Sequence, residues 1–384
     1  MSHMPKRGAP RLGLIVNPIA GMGGAVGLKG TDGEEVLRKA IELGAKPVAP
    51  GRAKEFLKAF EPMKGKVELL AGAGFMGELE ALECGYEPVV LGERKELYHT
   101  TPEDTKAIAK RMAEAGVDLL VFCGGDGTAR DIMDAVDQEV PVLGVPTGVK
   151  MHSAVFAVNP RAAARVAMGF LSGELPVREA EVMDVDEEAF RQGRVSARLY
   201  GYLLTPYEPA LVQSMKIASP TTPDEEENKL AIARQVVEEL EPGVIYIVGP
   251  GTTTKPILEL LGLEKTLLGV DVILVEGPGG PAKLLAKDAN EAQILRLIEG
   301  RKAKIIVTPI GGQGFIFGRG NQQISPRVIR AVGRDNLIVV ATRSKLSGLK
   351  ALRVDTGDPE LDEALRGYMR VVVDYGQEVV MRVE

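Results

Sequence analysis

Residues 119–131 read Leu-Leu-Val-Phe-Cys-Gly-Gly-Asp-Gly-Thr-Ala-Arg-Asp, an apolar run set directly against Gly124-Gly125-Asp126-Gly127-Thr128. The order predicts a strand, a phosphate turn and a helix. Leu119 to Phe122 suits a strand buried on both faces, as in a parallel sheet covered by helices. The glycines let backbone amides approach an anion where unpaired N–H groups and the helix dipole both favour negative charge. Asp126 stands out here, because a carboxylate repels the anion that its neighbours attract. It reads either as a base that accepts a hydroxyl proton or as a ligand for the magnesium accompanying a polyphosphate. A plainer reading makes Asp126 a helix cap and the glycines turn residues only.

Around this stretch the first half of the chain alternates strands with helices. Strands are expected at Leu12 to Val16, Val67 to Ala71, Pro88 to Leu91 and Pro141 to Val145. Helices are expected at Glu34 to Leu43, Ala53 to Phe60, Met76 to Cys84, Pro102 to Ala115, Thr128 to Asp137 and Pro160 to Leu171. Such alternation means an α/β fold with a Rossmann-like parallel sheet and functional loops at the carboxyl ends of its strands. Two further turns fall at such ends, Asn17-Pro18-Ile19-Ala20-Gly21 and Gly144-Val145-Pro146-Thr147-Gly148-Val149-Lys150. Turns at one edge of one sheet converge, so the three are expected to build one site. Lys150 there is either a compact charge that neutralises a transferring phosphoryl group or a solvated lysine. His152 either touches a phosphate or ribose or simply packs. His99 carries no role, and Arg130 and Asp131 are expected to pair locally.

The pentad Gly124–Thr128 resembles the Gly-Gly-Asp-Gly-Thr signature shared by NAD kinases, diacylglycerol and sphingosine kinases and, in variant form, phosphofructokinases. With Asn17–Gly21 and Gly144–Lys150 in this order, the chain is similar to the archaeal-type ATP- or polyphosphate-dependent NAD kinases. Val244 to Val248 runs into Gly249-Pro250-Gly251-Thr252-Thr253-Thr254-Lys255, similar in placement to the Thr-rich turn in their second domain. The resemblance implies an NAD kinase-like fold and a magnesium-dependent transfer of the terminal phosphoryl of ATP, or polyphosphate, to the adenosine ribose 2′-hydroxyl of NAD. It implies that Asp126 takes the proton. Gly124, Gly125, Gly127 and Thr128 would hold phosphates with Thr147, Gly148 and Lys150, while Asn17 and Gly21 line the nucleotide side. Thr252, Thr253 and Thr254 would close the acceptor side, opposite the pentad; the metal's ligands are unassigned. A homo-oligomer is expected. One departure concerns the acceptor: the Asn-Asn-Glu-type motif of ordinary NAD kinases has no match, since Asn290-Glu291 sits at a helix start and reads as a cap. A kinase of another hydroxyl compound, small metabolite or lipid-type, and a non-catalytic nucleotide-binding regulator therefore stay open.

Composition narrows the classes further. At 384 residues the chain holds more than one domain, and 45% hydrophobic with 26% charged residues is ordinary for a soluble protein. No apolar run approaches the roughly 20 residues that span a bilayer, so no membrane is expected. A net charge of −6 argues against nucleic acid as a partner. Cys84 and Cys123 have no metal-ligand spacing and read as core thiols, which fits a reducing cytoplasm. Six Asn and nine Gln among abundant Glu, Lys and Arg hint at a thermophile. Met1-Ser2-His3-Met4 reads as a vector remnant. Neither Gly249 to Lys255 nor Gly277 to Lys283 supplies a Walker A loop, and Gly21-Met22-Gly23-Gly24 lacks the acidic partner of a dinucleotide fingerprint.

The domains are expected at residues 1–177, 178–335 and 336–384: the Rossmann-like domain, a mixed α/β domain containing a hairpin, and strands that join either. The hairpin pairs Glu181 to Val185 with Val195 to Leu204 around the charged turn Asp186 to Gly193. Gly311 to Gln323 packs five glycines into its first ten residues beside Arg319, Asn321, Gln322 and Gln323. It either wraps a polar ligand or turns tightly between strands.

Overall fold

The structure is a computed structural model that describes residues 8–24, 26–28, 34–148, 151–185, 197–214, 222–277 and 281–384. The vector-like start, Lys150 and the hairpin's charged turn lie outside the described residues.

The first unit is a parallel sheet in the order β3-β2-β1-β4-β5, built from Arg11–Val16 (β1), Glu68–Gly72 (β2), Val89–Leu91 (β3), Leu119–Gly124 (β4) and Val142–Pro146 (β5). Period-two alternation sorts its side chains between two helix layers. Leu14, Val121 and Val145 pack on Phe56 of α2 (Ala49–Ala59) and Ala163 of α6 (Pro160–Leu171). Ile15, Leu120 and Phe122 pack on Met112 of α4 (Pro102–Glu114) and Ile132 of α5 (Asp126–Val136). The helix starts are written locally: Thr101 and Asp104 form a capping box before α4, and Asn159 caps α6, each followed by Pro at the first helical position. The helix expected from Met76 to Cys84 is broken. Gly77, at φ 133°, separates a 3-10 turn Gly74–Met76 from α3 (Glu78–Glu83).

The order of connections reverses between β1 and β4, since the chain moves outward from β1 to β2 and β3 and then returns to place β4 on the other side. Loops leaving adjacent strands in opposite directions open a crevice at their carboxyl ends. The first two sequence turns leave those two strands.

Val177–Val185 (β6) and Ala197–Pro206 (β7) form the antiparallel hairpin. Its buried Ala180, Val182 and Leu203 share a core with Ile132, Val155 and Phe156. The sequence reading starts the second unit near Arg178, where this hairpin begins; the hairpin packs on the first sheet, and the helix Pro223–Glu238 is the element that packs on the second. The second unit is a mixed sheet in the order β10-β9-β8-β11-β13-β15-β16. Ile245–Val248 (β8), Asp271–Val275 (β9), Ala282–Ala286 (β10) and Ala303–Val307 (β11) precede the short Phe315–Phe317 (β12) and Leu337–Val340 (β13). Arg353–Val354 (β14), Gly367–Asp374 (β15) and Gln377–Val383 (β16) follow; β14 pairs with β12 outside the sheet. The tail thus contributes β13, β15 and β16 to the second sheet. No described helix is long and apolar enough to cross a membrane.

Candidate active site

The three turns of the first unit are joined across the crevice. Asn17 Nδ2, just past β1, donates to Thr128 Oγ1 in the first turn of α5 at 3.0 Å. Thr147 Oγ1, past β5, donates to the carbonyl of Gly124 at 3.1 Å. Gly21 closes the triangle: a Cβ added there would stand 2.4 Å from the carbonyl oxygen of Thr147. Gly124 is equally constrained, because a Cβ would fall 2.4 Å from Thr128 Oγ1. These residue types follow from the close approach of three chain reversals. Gly148 lies on the same rim, facing Gln322 of the second unit.

The first intrahelical bond at the start of α5 runs from Ala129 N–H to Gly125 O at 3.0 Å. The amides of Asp126, Gly127 and Thr128 therefore have no acceptor within the helix, which leaves a concentration of donors suited to phosphate oxygens. Gly125 occupies the N-cap position, with no side-chain cap. The capping role for Asp126 is accordingly replaced by a different one. Asp126 Oδ2 accepts from His152 N–H at 2.7 Å, and Oδ1 accepts from Ser153 N–H at 3.0 Å and Ser153 Oγ at 2.5 Å. His152 Nδ1 stands 3.4 Å from Oδ2. The carboxylate is buried, and three of its roughly four lone-pair positions are filled by donors that hold it in one orientation. His152, buried beside Asp126, is part of this centre, whereas exposed His99 pairs with Glu96. Arg130 pairs with Asp184 of the hairpin, and Asp131 lies near Lys106.

The threonine turn sits at the carboxyl end of β8. Thr254 Oγ1 donates to Gly249 O at 2.8 Å, and Thr253 Oγ1 accepts from Lys345 Nζ at 2.9 Å, while Thr252 is exposed. Lys345 also donates to Thr308 Oγ1 at 3.1 Å, so this cluster gathers the ends of β8 and β11. Among the described residues, no hydrogen bond or ion pair joins residues 249–255 to residues 124–128. The glycine-rich segment 311–323 makes the junction instead. Gln313 Nε2 donates to Met151 O at 2.9 Å and to Ser214 O at 3.2 Å. Arg319 donates to Gln213 Oε1 and to Val158 O, both at 2.9 Å. Asp355 accepts from both Arg319 and Arg52, and Arg52 Nε reaches back to Pro146 O at 2.9 Å. Burial lowers the Arg319 guanidinium to about 10 despite Asp355. Ser153, Gln213, Arg52 and Asp355 carry no sequence signal as site residues, because none stands in a motif; Gln313 and Arg319 lie in the segment flagged for its glycines.

Among the described residues no cluster of three or more His, Cys, Asp or Glu is arranged to hold a metal ion. Asn290 is the helix cap that the sequence led us to expect, and it forms a capping box with Gln293. Cys84 and Cys123 are free thiols, and burial pushes that of Cys123 up.

Comparison with known families agrees with this architecture. The model of the ATP-NAD kinase N-terminal domain matches residues 12–175, and that of the ATP-NAD kinase C-terminal domain matches residues 241–383. No solved structure matches the chain. The first match covers all three turns and Asp126, the second covers the threonine turn and the junction segment, and on these two matches the chain belongs to the NAD kinase family.

Proposed function

We propose that the crevice transfers the terminal phosphoryl of ATP, or of polyphosphate, to the 2′-hydroxyl of the adenosine ribose of NAD, with Asp126 as the proton acceptor. Family membership supplies the reaction in outline, a kinase that phosphorylates NAD to NADP. The observation that carries the finer reading is the Asp126 carboxylate, oriented by His152 and Ser153 at the edge of an amide-rich turn. The amides of residues 126–128 and the Thr147–Gly148 turn bind the phosphates and keep the reacting phosphorus in place. Asn17 and Gly21 border the nucleotide from the β1 side, and Thr252 to Thr254 bound the acceptor side from the second unit. The 2′-oxygen forms a bond to the terminal phosphorus as the bond to the departing phosphate oxygen breaks, and its proton passes to the remaining lone pair of Asp126. Phosphoryl transfer depends on such positioning more than on covalent participation by the protein.

Magnesium would neutralise the charge on the donor's phosphates, and among the described residues no cluster is arranged to hold it.

The Asp126→Asn variant tests the assignment. The amide keeps the shape, but its NH2 group must face an N–H donor of His152 or Ser153, so a stability loss of about 1–3 kcal/mol accompanies it. Below its melting temperature, turnover is expected to fall about a hundredfold or more while calorimetric NAD affinity stays within a few fold. Wild-type turnover in the folded variant contradicts the assignment.

A further inference from the structure

We propose that Gln313 and Arg319, both carried by the second unit, are positioning residues that set the Asp126 carboxylate, so that the centre is complete only when the two units are seated on each other. The inference rests on the reading of Asp126 above. Its starting point is that α5 does not orient Asp126; the backbone of residues 152 and 153 does. That backbone belongs to no helix or strand, and side chains hold it on either side.

On one side the Met151 carbonyl accepts from Gln313 Nε2, whose second contact, to Ser214 O, engages both amide hydrogens in fixed directions. On the other side the Ser153 carbonyl accepts from Gln213 Nε2 at 2.9 Å. Gln213 is oriented by Arg319, which donates to its Oε1. Arg319 is itself fixed three ways: by Asp355, by the Val158 carbonyl and by stacking on Phe315 at 4.3 Å. Asp355 then ties Arg52, and Arg52 the carbonyl of Pro146 beside Thr147. Gln213, Gln313, Arg319, Asp355 and Arg52 are all buried, so water cannot stand in for a lost partner without rearrangement. The second unit therefore grips both carbonyls that flank the amides binding Asp126, one directly and one through Gln213. A displacement on the order of 1 Å at a reacting group is enough to lower a rate by about a hundredfold.

The test compares the full-length wild type with Gln313→Leu, Arg319→Lys, Asp126→Asn and the double variant Asp126→Asn/Gln313→Leu, measuring NADP formation and melting temperature. Gln313→Leu removes both donors at nearly constant volume; Arg319→Lys keeps the charge facing Asp355 but loses the fork that reaches Gln213, and serves if the first variant does not fold. In Gln313→Leu and in Arg319→Lys kcat is expected to fall about ten- to a hundredfold with KM for NAD within about threefold, measured well below melting. In the Asp126→Asn background Gln313→Leu is expected to cost no further kcat, since both act through one carboxylate. A lowered melting temperature with kcat within about twofold of wild type, or a full multiplicative loss in the double variant, overturns the inference while leaving the Asp126 assignment standing. Wild-type turnover by Asp126→Asn overturns the assignment itself, and the inference with it.

Discussion

At Gly21 the β1 turn runs against the Thr147 carbonyl with φ at 81°, so the position excludes a side chain twice, by backbone conformation and by space. Gly21→Ala is expected to cost about 1–3 kcal/mol, read by urea denaturation, and to raise KM as the β1 and β5 turns part. Ser153 is the complementary case. Its hydroxyl donates to Asp126 and accepts from Met183 N–H at 2.9 Å, so Ser153→Ala should remove about 1 kcal/mol and reduce kcat less than Asp126→Asn does, because both backbone donors remain. Stability unchanged together with full activity would show that the hydroxyl is dispensable. At this scale the glycines and Asp126 were legible, because a motif concentrates them in one turn. Ser153 was not: it lies 27 residues beyond Asp126 and meets it only because the chain leaves β5 and returns beneath α5.

Among the elements, α3 carries an unusual group. Glu80 is buried with Oε2 lacking a hydrogen-bond partner among the described residues, and burial raises its carboxyl to about 7. The unfolded chain ionises it near pH 4.3, so the unfolded state loses its proton first as pH rises. The group's contribution is therefore fully present below about pH 4 and is lost progressively as pH rises through 7. Wild type is expected to lose up to about 3 kcal/mol relative to Glu80→Gln between pH 5 and pH 7.5, by urea denaturation of both proteins at each pH. Parallel stability profiles would contradict the placement. The strands of the first sheet could be read from periodicity and lie within a few residues of their expected bounds. The short β10, β12 and β14 could not, since two to five residues are too few to show a period.

Across the whole molecule, the two units share a buried ion-pair chain of Arg52, Asp355 and Arg319. Asp355→Asn leaves Arg319 without its carboxylate and weakens the hold on Arg52, and is expected to cost about 3–5 kcal/mol, with calorimetry separating the melting of the two units. A single transition at the wild-type temperature would show that the chain of charges does not couple them. Strand and helix alternation made the first sheet legible, but the junction depends on isolated polar residues with no period. Gly311 to Gln323 stood out for its glycines, and its side chains Gln313 and Arg319 bridge the units. Incubating the purified protein with magnesium, NAD and either ATP or polyphosphate, and detecting NADP with an NADP-specific dehydrogenase, tests the proposed phosphoryl transfer most directly. NADP should accumulate with at least one donor and carry its new phosphate on the adenosine ribose 2′-oxygen; folded protein that forms no NADP from either donor would contradict it.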